Sequence, residues 1–179
     1  PRYSCPSVDS PASERAKWRA VCPHAAELRE RGNAVGDRGF ATDRNVALSR
    51  VKVFNGDVSR LRVAALPAGE LKLPGIGTVA GFGGRAEDTH TFFSFTSFTE
   101  PGAIYRMKIA TANYAVWKRP TVDFKSAEYE SKQVFVRSKD GTRVPTFITH
   151  KRGLVPDGNS PTILYGYGGF NISLTPAFS

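Results

Sequence analysis

The sequence predicts an all-β fold for most of the chain, and two observations carry that prediction. From Val46 to Lys118, short runs rich in β-branched and aromatic residues alternate with turn residues. The twelve Phe and the aromatic content of 11% favour stacked strands over a helical bundle. Strands spaced about 8–15 residues apart are typical of a β-sandwich, a β-barrel or a β-propeller, and the spacing alone leaves all three open.

Six strands are predicted in this part of the chain, each ended by turn residues. The first ends at Asn55-Gly56-Asp57, which is a strong hairpin signal. Later breaks fall at Pro67-Ala68-Gly69, Gly83-Gly84 and Glu100-Pro101-Gly102. The predicted strands are Val46–Phe54, Leu61–Leu66, Gly77–Phe82, Thr89–Phe98, Ile104–Ile109 and Ala115–Lys118.

A hairpin is predicted after a linker at Arg119–Asp123. Its two strands are Glu128–Arg137 and Arg143–His150, joined by a turn at Lys139–Thr142. Pro145 indicates an edge position, because proline cannot donate to a strand ladder. After a polar connection, Thr162–Tyr167 is predicted to form one more strand.

Two segments before Val46 do not follow the strand pattern. Glu27–Asn45 is polar and glycine-rich with almost no apolar alternation, so it is expected to be a disordered loop or a sequence error. Ser13–Val21 is predicted to form a helix that begins at a Ser N-cap.

Composition excludes several classes of function. The formal charge of +9 comes from scattered Lys and Arg without a basic run, which favours a solvated basic surface over nucleic-acid binding. No apolar stretch approaches the length of a membrane span. Cys5 and Cys22 form neither a disulfide framework nor a metal set, so no metal and no cofactor are expected. Isolated thiols and the lack of a secretory start predict a cytoplasmic location.

The first residue is proline, and the only methionine is Met107. Translation does not ordinarily begin in this way, and the C-terminal motif below ends soon after it begins. The chain is therefore expected to be an internal fragment.

The most informative motif is Pro161–Asn171, an apolar run that ends in a glycine-rich turn. Glycines allow positive φ and close approach of a backbone, so Gly168 and Gly169 are predicted to shape the loop. The hydroxyl of Tyr167 is a neutral donor at pH 7 and suits an oxyanion site. The alternatives are a Tyr167 that packs under a strand end and a Phe170 in the core. Tyr165 and Asn171 are assigned to the structure of the loop.

Other motifs are rejected. No Gly-x-Ser-x-Gly nucleophile elbow occurs in the sequence. Gly81-Phe82-Gly83-Gly84 precedes a β-rich run rather than a helix, which excludes a phosphate-binding loop. The three histidines, His24, His90 and His150, are far apart and lack metal-ligand spacing.

Three stretches together resemble one family. They are Asp157–Ser179 with its core Leu164–Pro176, Phe135–Ile148, and Phe93–Gly102, with looser similarity at Pro1–Tyr3 and Glu14–Trp18. All are similar to segments of the prolyl oligopeptidases (prolyl endopeptidases), which are serine peptidases. The resemblance selects the propeller among the three all-β folds.

The resemblance implies a partial β-propeller of about two blades at 1–120, of which 1–57 matches least. It implies the first strands of an α/β-hydrolase domain at 121–179. Tyr167 would be an oxyanion donor and Phe170 a wall of the proline pocket. In the family the Ser, Asp and His of the triad follow the Gly-Gly-Phe-Asn segment, so this chain is expected to lack them and to be inactive alone.

The implied activity is hydrolysis of short peptides on the C-terminal side of proline by a monomeric enzyme that binds neither nucleic acid nor membrane. Two alternatives stay open. One is a non-catalytic, truncated β-rich module that binds peptides or a partner. The other is a related peptidase that cleaves after basic residues.

Overall fold

The computed structural model describes residues 6–7, 19–20, 28–55, 66–170 and 172–179. Side chains are described from residue 32 onward, apart from 56–67 and 171. The strands are β1 (Pro6–Ser7), β2 (Arg19–Ala20), β3 (Leu28–Val35), β4 (Arg38–Asn45), β5 (Leu48–Asn55), β6 (Leu66–Glu70), β7 (Thr78–Gly83), β8 (His90–Thr96), β9 (Ala103–Lys108), β10 (Tyr114–Lys118), β11 (Tyr129–Arg137) and β12 (Arg143–Lys151). A 3-10 turn at Ser126–Glu128 precedes β11.

Two four-stranded antiparallel sheets dominate the structure. The first has the strand order β3-β4-β5-β6 and the second the order β7-β8-β9-β10, so each is a simple meander. In β8 and β9 buried and exposed side chains alternate, which is the period-2 pattern of a sheet with one covered face. The predicted strands between Gly77 and Lys118 are confirmed to within a few residues.

The two sheets pack face to face, with their first strands side by side. Asn33 of β3 donates from Nδ2 to the carbonyl oxygen of Gly81 in β7 at 2.8 Å. Arg38 donates to the carbonyl oxygen of Ala110 at 2.7 Å, and the Val79 N–H donates to Ser49 Oγ at 3.2 Å. Four-stranded meanders that stack in this way are neighbouring blades of a β-propeller.

A column of aromatic rings fills the space between the blades. Phe40 stacks on Phe82 at 5.1 Å, Phe82 on Phe93 at 5.0 Å, and Phe93 on Tyr105 at 5.1 Å between ring centroids. Tyr114 meets Phe93 edge-on at 5.2 Å, and its hydroxyl donates to the carbonyl oxygen of Lys72 at 2.6 Å. Partial burial of Tyr114 against this column disfavours its charged form and so raises the pKa of its hydroxyl. Because the rings come from both sheets, the column holds the two blades together.

A β-bulge in β7 directs Phe82 into this column. Simple alternation from the buried Val79 would bury Gly81, but the register shifts between Gly81 and Gly83 and Phe82 is buried instead. Gly81 has φ +125°, and a Cβ there would lie 2.7 Å from the carbonyl oxygen of Phe92. The bulge therefore requires glycine at this position.

The expectation for Glu27–Asn45 is wrong, because its described part forms β3 and β4. The two strands pair over almost their whole length, with Gly36 at φ +60° in the turn between them. Five consecutive residues of β4, Gly39 to Asp43, are buried. Asp43 is fully buried, with Lys52 Nζ 3.1 Å from its Oδ2. A strand that is covered on both faces and carries a buried, ion-paired aspartate shows no alternation of apolar and polar residues. The sequence pattern therefore does not mark β4 as a strand.

Other boundaries also differ from prediction. Val46 lies in the turn before β5 rather than in the strand, with φ +52°, which is unusual for a β-branched residue. β6 begins at Leu66 and includes the predicted turn at Pro67–Gly69, because an edge strand tolerates proline. Residues 61–65 of the predicted second strand lie outside the described residues. The helix prediction for Ser13–Val21 is wrong at Arg19–Ala20, because these two residues pair with β1 as a strand. The rest of the predicted helix lies outside the described residues.

The predicted hairpin is confirmed as β11 and β12, which pair without a register shift. Glu130 lies across from His150, and its carboxylate lies 3.1 Å from Lys132 Nζ and 3.5 Å from both His150 Nε2 and an Arg152 nitrogen. The hydrogen bond from Lys132 is the main cause that lowers the pKa of Glu130, and the other cations add to it. Since the Lys132 and Arg152 side chains are largely exposed to solvent, their ion pairs with Glu130 add little stability.

Candidate functional site

The glycine-rich loop lies after the hairpin, at residues 161–170. The strand predicted at Thr162–Tyr167 is not formed: the segment is irregular, and Ile163 and Leu164 are 94% and 91% exposed. A strand needs a neighbour to accept its backbone hydrogen bonds, and the described residues supply none here. An apolar run with this exposure is suited to burial against further structure.

Tyr167 is half exposed in this loop. The side chain is 49% exposed, and a Cβ built on Gly169 would lie 3.9 Å from the hydroxyl oxygen. The ring therefore lies beside the backbone of Gly169, where the lack of a side chain leaves space next to the O–H group. This neutral donor is available to an acceptor that approaches from solvent.

Phe170, rather than a glycine, takes the unusual backbone conformation of the loop. Its φ is +51°, whereas Gly168 and Gly169 do not have positive φ. The loop-forming role of these two glycines stays a prediction. The Ile172 N–H donates to the carbonyl oxygen of Gly169 at 3.1 Å and closes the turn around Phe170. The left-handed turn presents the ring outward, 90% exposed. Asn171, predicted to help form the loop, lies outside the described residues.

A second tight turn precedes the loop in the polar connection. The Asn159 N–H donates to Asp157 Oδ1 at 2.9 Å. This bond and a further one from the Asn159 side chain lower the pKa of Asp157. An Asx turn of this kind reverses the chain before the apolar run that leads into the loop.

The two described histidines have local partners. His90 Nδ1 shares a hydrogen bond with Thr89 Oγ1 at 2.9 Å, and His150 Nδ1 donates to the carbonyl oxygen of Lys151 at 2.9 Å. Among the described residues, no group of three or more His, Cys, Asp or Glu side chains is arranged to hold a metal ion. Within the same residues, no helix is long and apolar enough to cross a membrane. His24 lies outside the described residues.

Two threonines that contact the segment after this loop were not singled out by the sequence analysis. Thr78 and Thr96 lie in β7 and β8 and hydrogen-bond to residues 176 and 178, which follow the loop in the chain. Threonine is an ordinary strand former, so neither residue stands out in the sequence. A contact across such a sequence separation becomes visible only in the fold.

The two-blade propeller segment is matched by one protein family. A family model described as the N-terminal β-propeller domain of prolyl oligopeptidase matches residues 2–120. The chain belongs to the prolyl oligopeptidase family.

Curated relatives agree along almost the whole chain. The prolyl endopeptidase of Elizabethkingia miricola is 40% identical over 173 residues, which are 97% of this chain and 23% of that protein. The prolyl endopeptidase of Dictyostelium discoideum is 41% identical over 113 residues, covering 62% of this chain and 15% of that protein. The chain thus spans about a quarter of the length of the first of these relatives.

Solved structures share the fold. A structure from a study of two prolyl endopeptidases and their inter-domain dynamics superposes with a TM-score of 0.78 and 33% identity, covering 93% of this chain and 24% of the other. Prolyl oligopeptidase B from Galerina marginata was solved with a 35mer hydrolysis and macrocyclization substrate. It superposes with a TM-score of 0.76 and 25% identity, and the match covers 91% of this chain and 22–23% of the other. These likenesses confirm the predicted propeller.

Proposed function

We propose that this chain is a segment of a serine peptidase that hydrolyses short peptides on the C-terminal side of proline. The observation that carries the proposal is the half-exposed Tyr167, in a loop that follows a two-blade propeller segment of a prolyl oligopeptidase. The relatives named above are prolyl endopeptidases, which supports the same substrate class for the complete gene product.

Tyr167 has the chemistry for the oxyanion step. When a serine attacks a scissile carbonyl, negative charge develops on the carbonyl oxygen. A hydroxyl fixed in place before the reaction stabilises that charge without reorganisation, and one such donor is worth roughly 3–4 kcal/mol. The N–H that follows the nucleophilic serine supplies the second donor in this scheme.

Phe170 has the chemistry for proline recognition. Its ring is 90% exposed and held outward by the turn at Gly169–Ile172. A flat apolar face buries the pyrrolidine ring of a substrate, and the gain is about 25 cal/mol for each Å² of apolar surface removed from water. The ring is accordingly assigned to the wall of the proline pocket.

The nucleophile and its partners are assigned to polypeptide beyond these residues. The sequence contains no Gly-x-Ser-x-Gly elbow, and the two described histidines pair with local groups. Residues 121–179 are assigned to the start of an α/β-hydrolase domain and 1–120 to the propeller. A monomeric, cytoplasmic enzyme without nucleic-acid or membrane partners stays a prediction from the sequence.

The alternative of a free-standing binding module is less well supported. The outer face of the second blade exposes large apolar side chains, with Phe92 and Ile104 each 42% and Trp117 60% exposed. Trp117 meets Phe92 edge-on at 5.8 Å, and Arg106 lies over the Trp117 ring at 5.5 Å. A contiguous apolar face of this kind suits an interface with more structure rather than a surface in water.

The test is to assay the complete gene product and the 179-residue chain side by side. Chromogenic peptides of the same length carry either proline or arginine before the scissile bond. We expect the complete gene product to release the chromophore after proline and the 179-residue chain to release none. Preference for the arginine peptide would support the basic-specific peptidase, and turnover by the 179-residue chain would refute the assignment of the triad to other residues.

A further inference from the structure

The segment that follows the glycine-rich loop is fastened to the second blade. Thr78 of β7 donates from Oγ1 to the carbonyl oxygen of Pro176 at 2.7 Å. Thr96 of β8 accepts at Oγ1 from the Phe178 N–H at 3.2 Å. Pro176 is fully buried at this contact. We call these four residues, Thr78, Thr96, Pro176 and Phe178, the threonine clamp.

Aromatic contacts hold the same segment from the other side. Phe178 meets Phe124 edge-on at 5.1 Å, and Phe124 stacks on Tyr129 at 5.0 Å. Phe124 follows the linker out of the second blade, and Tyr129 begins β11. The clamp is therefore enclosed by the blade and by the first elements after it.

Thr96 also links the clamp to the turn that ends β8. Its Oγ1 donates to the carbonyl oxygen of Glu100 at 3.2 Å while it accepts from Phe178. The Glu100 carboxylate in turn lies 3.1 Å from a guanidinium nitrogen of Arg119 in the linker. One hydroxyl thus joins the blade, the turn and the segment after the loop.

Only a short stretch separates the clamp from the loop. The turn closed by the Ile172 N–H and the Gly169 carbonyl ends the loop, and residues 172–175 lead directly to Pro176. The Gly169–Ile172 hydrogen bond and the clamp fix two points of the same segment, so release of the clamp removes one of the two restraints that follow Tyr167 in the chain.

We propose that Thr78 and Thr96 are positioning residues that set the place of the Tyr167 hydroxyl through the clamp. The inference rests on the proposed oxyanion role of Tyr167. The propeller, in this account, contributes directly to transition-state stabilisation by fixing one end of the oxyanion loop. Releasing the clamp lets the hydroxyl move away from the developing charge while substrate binding at other groups is retained.

The experiment uses Thr78→Val and Thr96→Val in the complete gene product. These changes remove a hydroxyl while keeping the shape of the side chain. We expect kcat to fall about tenfold for each variant, since small misplacements of a catalytic group are costly, with KM changed less than about twofold. Thr96→Ser, which keeps the hydroxyl, is expected to retain most of the activity.

The matched control is Thr91→Val in the same strand as Thr96. Thr91 is buried and donates to the carbonyl oxygen of Gly83 at 2.9 Å, so it too loses a threonine-to-carbonyl bond, but it does not contact the clamp. If the threonine variants lost activity only because the blade became less stable, Thr91→Val would lose activity as well. We expect its kcat to stay near that of the unchanged protein.

A double-mutant cycle separates positioning from a merely structural role. If the threonines act through Tyr167, Thr78→Val and Thr96→Val have little further effect on kcat in a Tyr167→Phe background. The same tenfold loss in both backgrounds would overturn the inference, as would an equal loss in Thr91→Val. Hydrogen exchange at the Phe178 amide, expected to be faster in Thr96→Val, checks the release of the clamp itself.

The outcomes also separate this inference from the proposed function. If Tyr167→Phe lowers kcat but the threonine variants do not, the positioning role fails and the oxyanion role stands. If the complete gene product has no peptidase activity, or Tyr167→Phe leaves kcat unchanged, the proposed role of Tyr167 fails and the positioning role fails with it.

Discussion

Tyr167→Phe is expected to lower kcat of the complete gene product about 10²–10³-fold, which is the usual cost of losing one oxyanion donor. The change removes a single oxygen and keeps the ring that lies beside Gly169. Because the donor acts on charge that appears only in the transition state, KM is expected to change little. Steady-state kinetics on a proline-linked chromogenic peptide measures both constants.

Tyr165→Phe is the matched control for this experiment. Tyr165 lies two residues earlier in the same loop and is 77% exposed, so it loses an equivalent hydroxyl. We assign it to the structure of the loop and expect its kcat to stay within about threefold of the unchanged protein. Equal losses in both variants would show that the loop tolerates neither change and would contradict a specific role for Tyr167.

Phe93→Ala is expected to lower the free energy of unfolding by about 3–5 kcal/mol. Phe93 is 1% exposed and contacts Phe82, Tyr105 and Tyr114 within the aromatic column. Its removal opens a cavity between the blades and takes one ring contact away from each of those three residues. Urea denaturation of the complete gene product, followed by near-ultraviolet circular dichroism, reports the loss as an earlier midpoint.

Phe92→Ala provides the control, because Phe92 is adjacent in β8 and faces the opposite side of the sheet. It is 42% exposed and its ring contact is with Trp117 at 5.8 Å. We expect a smaller destabilisation, about 1 kcal/mol or less if this face stays open to solvent. A larger loss for Phe92 than for Phe93 would mean that the outer face, and not the column, carries the stability of the blade.

The second blade was predictable from sequence because its strands are covered mainly on one face. Phe93 and Phe95 are buried while Phe92 and Ser94 are exposed, so period-2 alternation is plain in the sequence. The strands β3 and β4 of the first blade were not predicted, because β4 buries consecutive residues, including Asp43, and shows no alternation. The turn at Val46–Ala47 has positive φ at both residues, which their side chains do not signal.

The residues of the candidate site stay a prediction from the sequence, and the conformation of their loop could not be predicted from it. Tyr167 and Phe170 were named from a family resemblance, while the positive φ falls on Phe170 rather than on the glycines. The apolar run at Ile163–Leu164 predicted a strand, yet a strand forms only beside a partner. The threonine clamp joins residues far apart in sequence, and no local pattern marks such a contact.

The most direct test of the account is to read the native transcript through the codon for Ser179. The account predicts that the reading frame continues into a Gly-x-Ser-x-Gly elbow, followed by an Asp and then a His of a catalytic triad. A stop codon directly after Ser179 would contradict the account, because the Tyr167 loop would then have no nucleophile to serve. A truncated binding module would take the place of the peptidase.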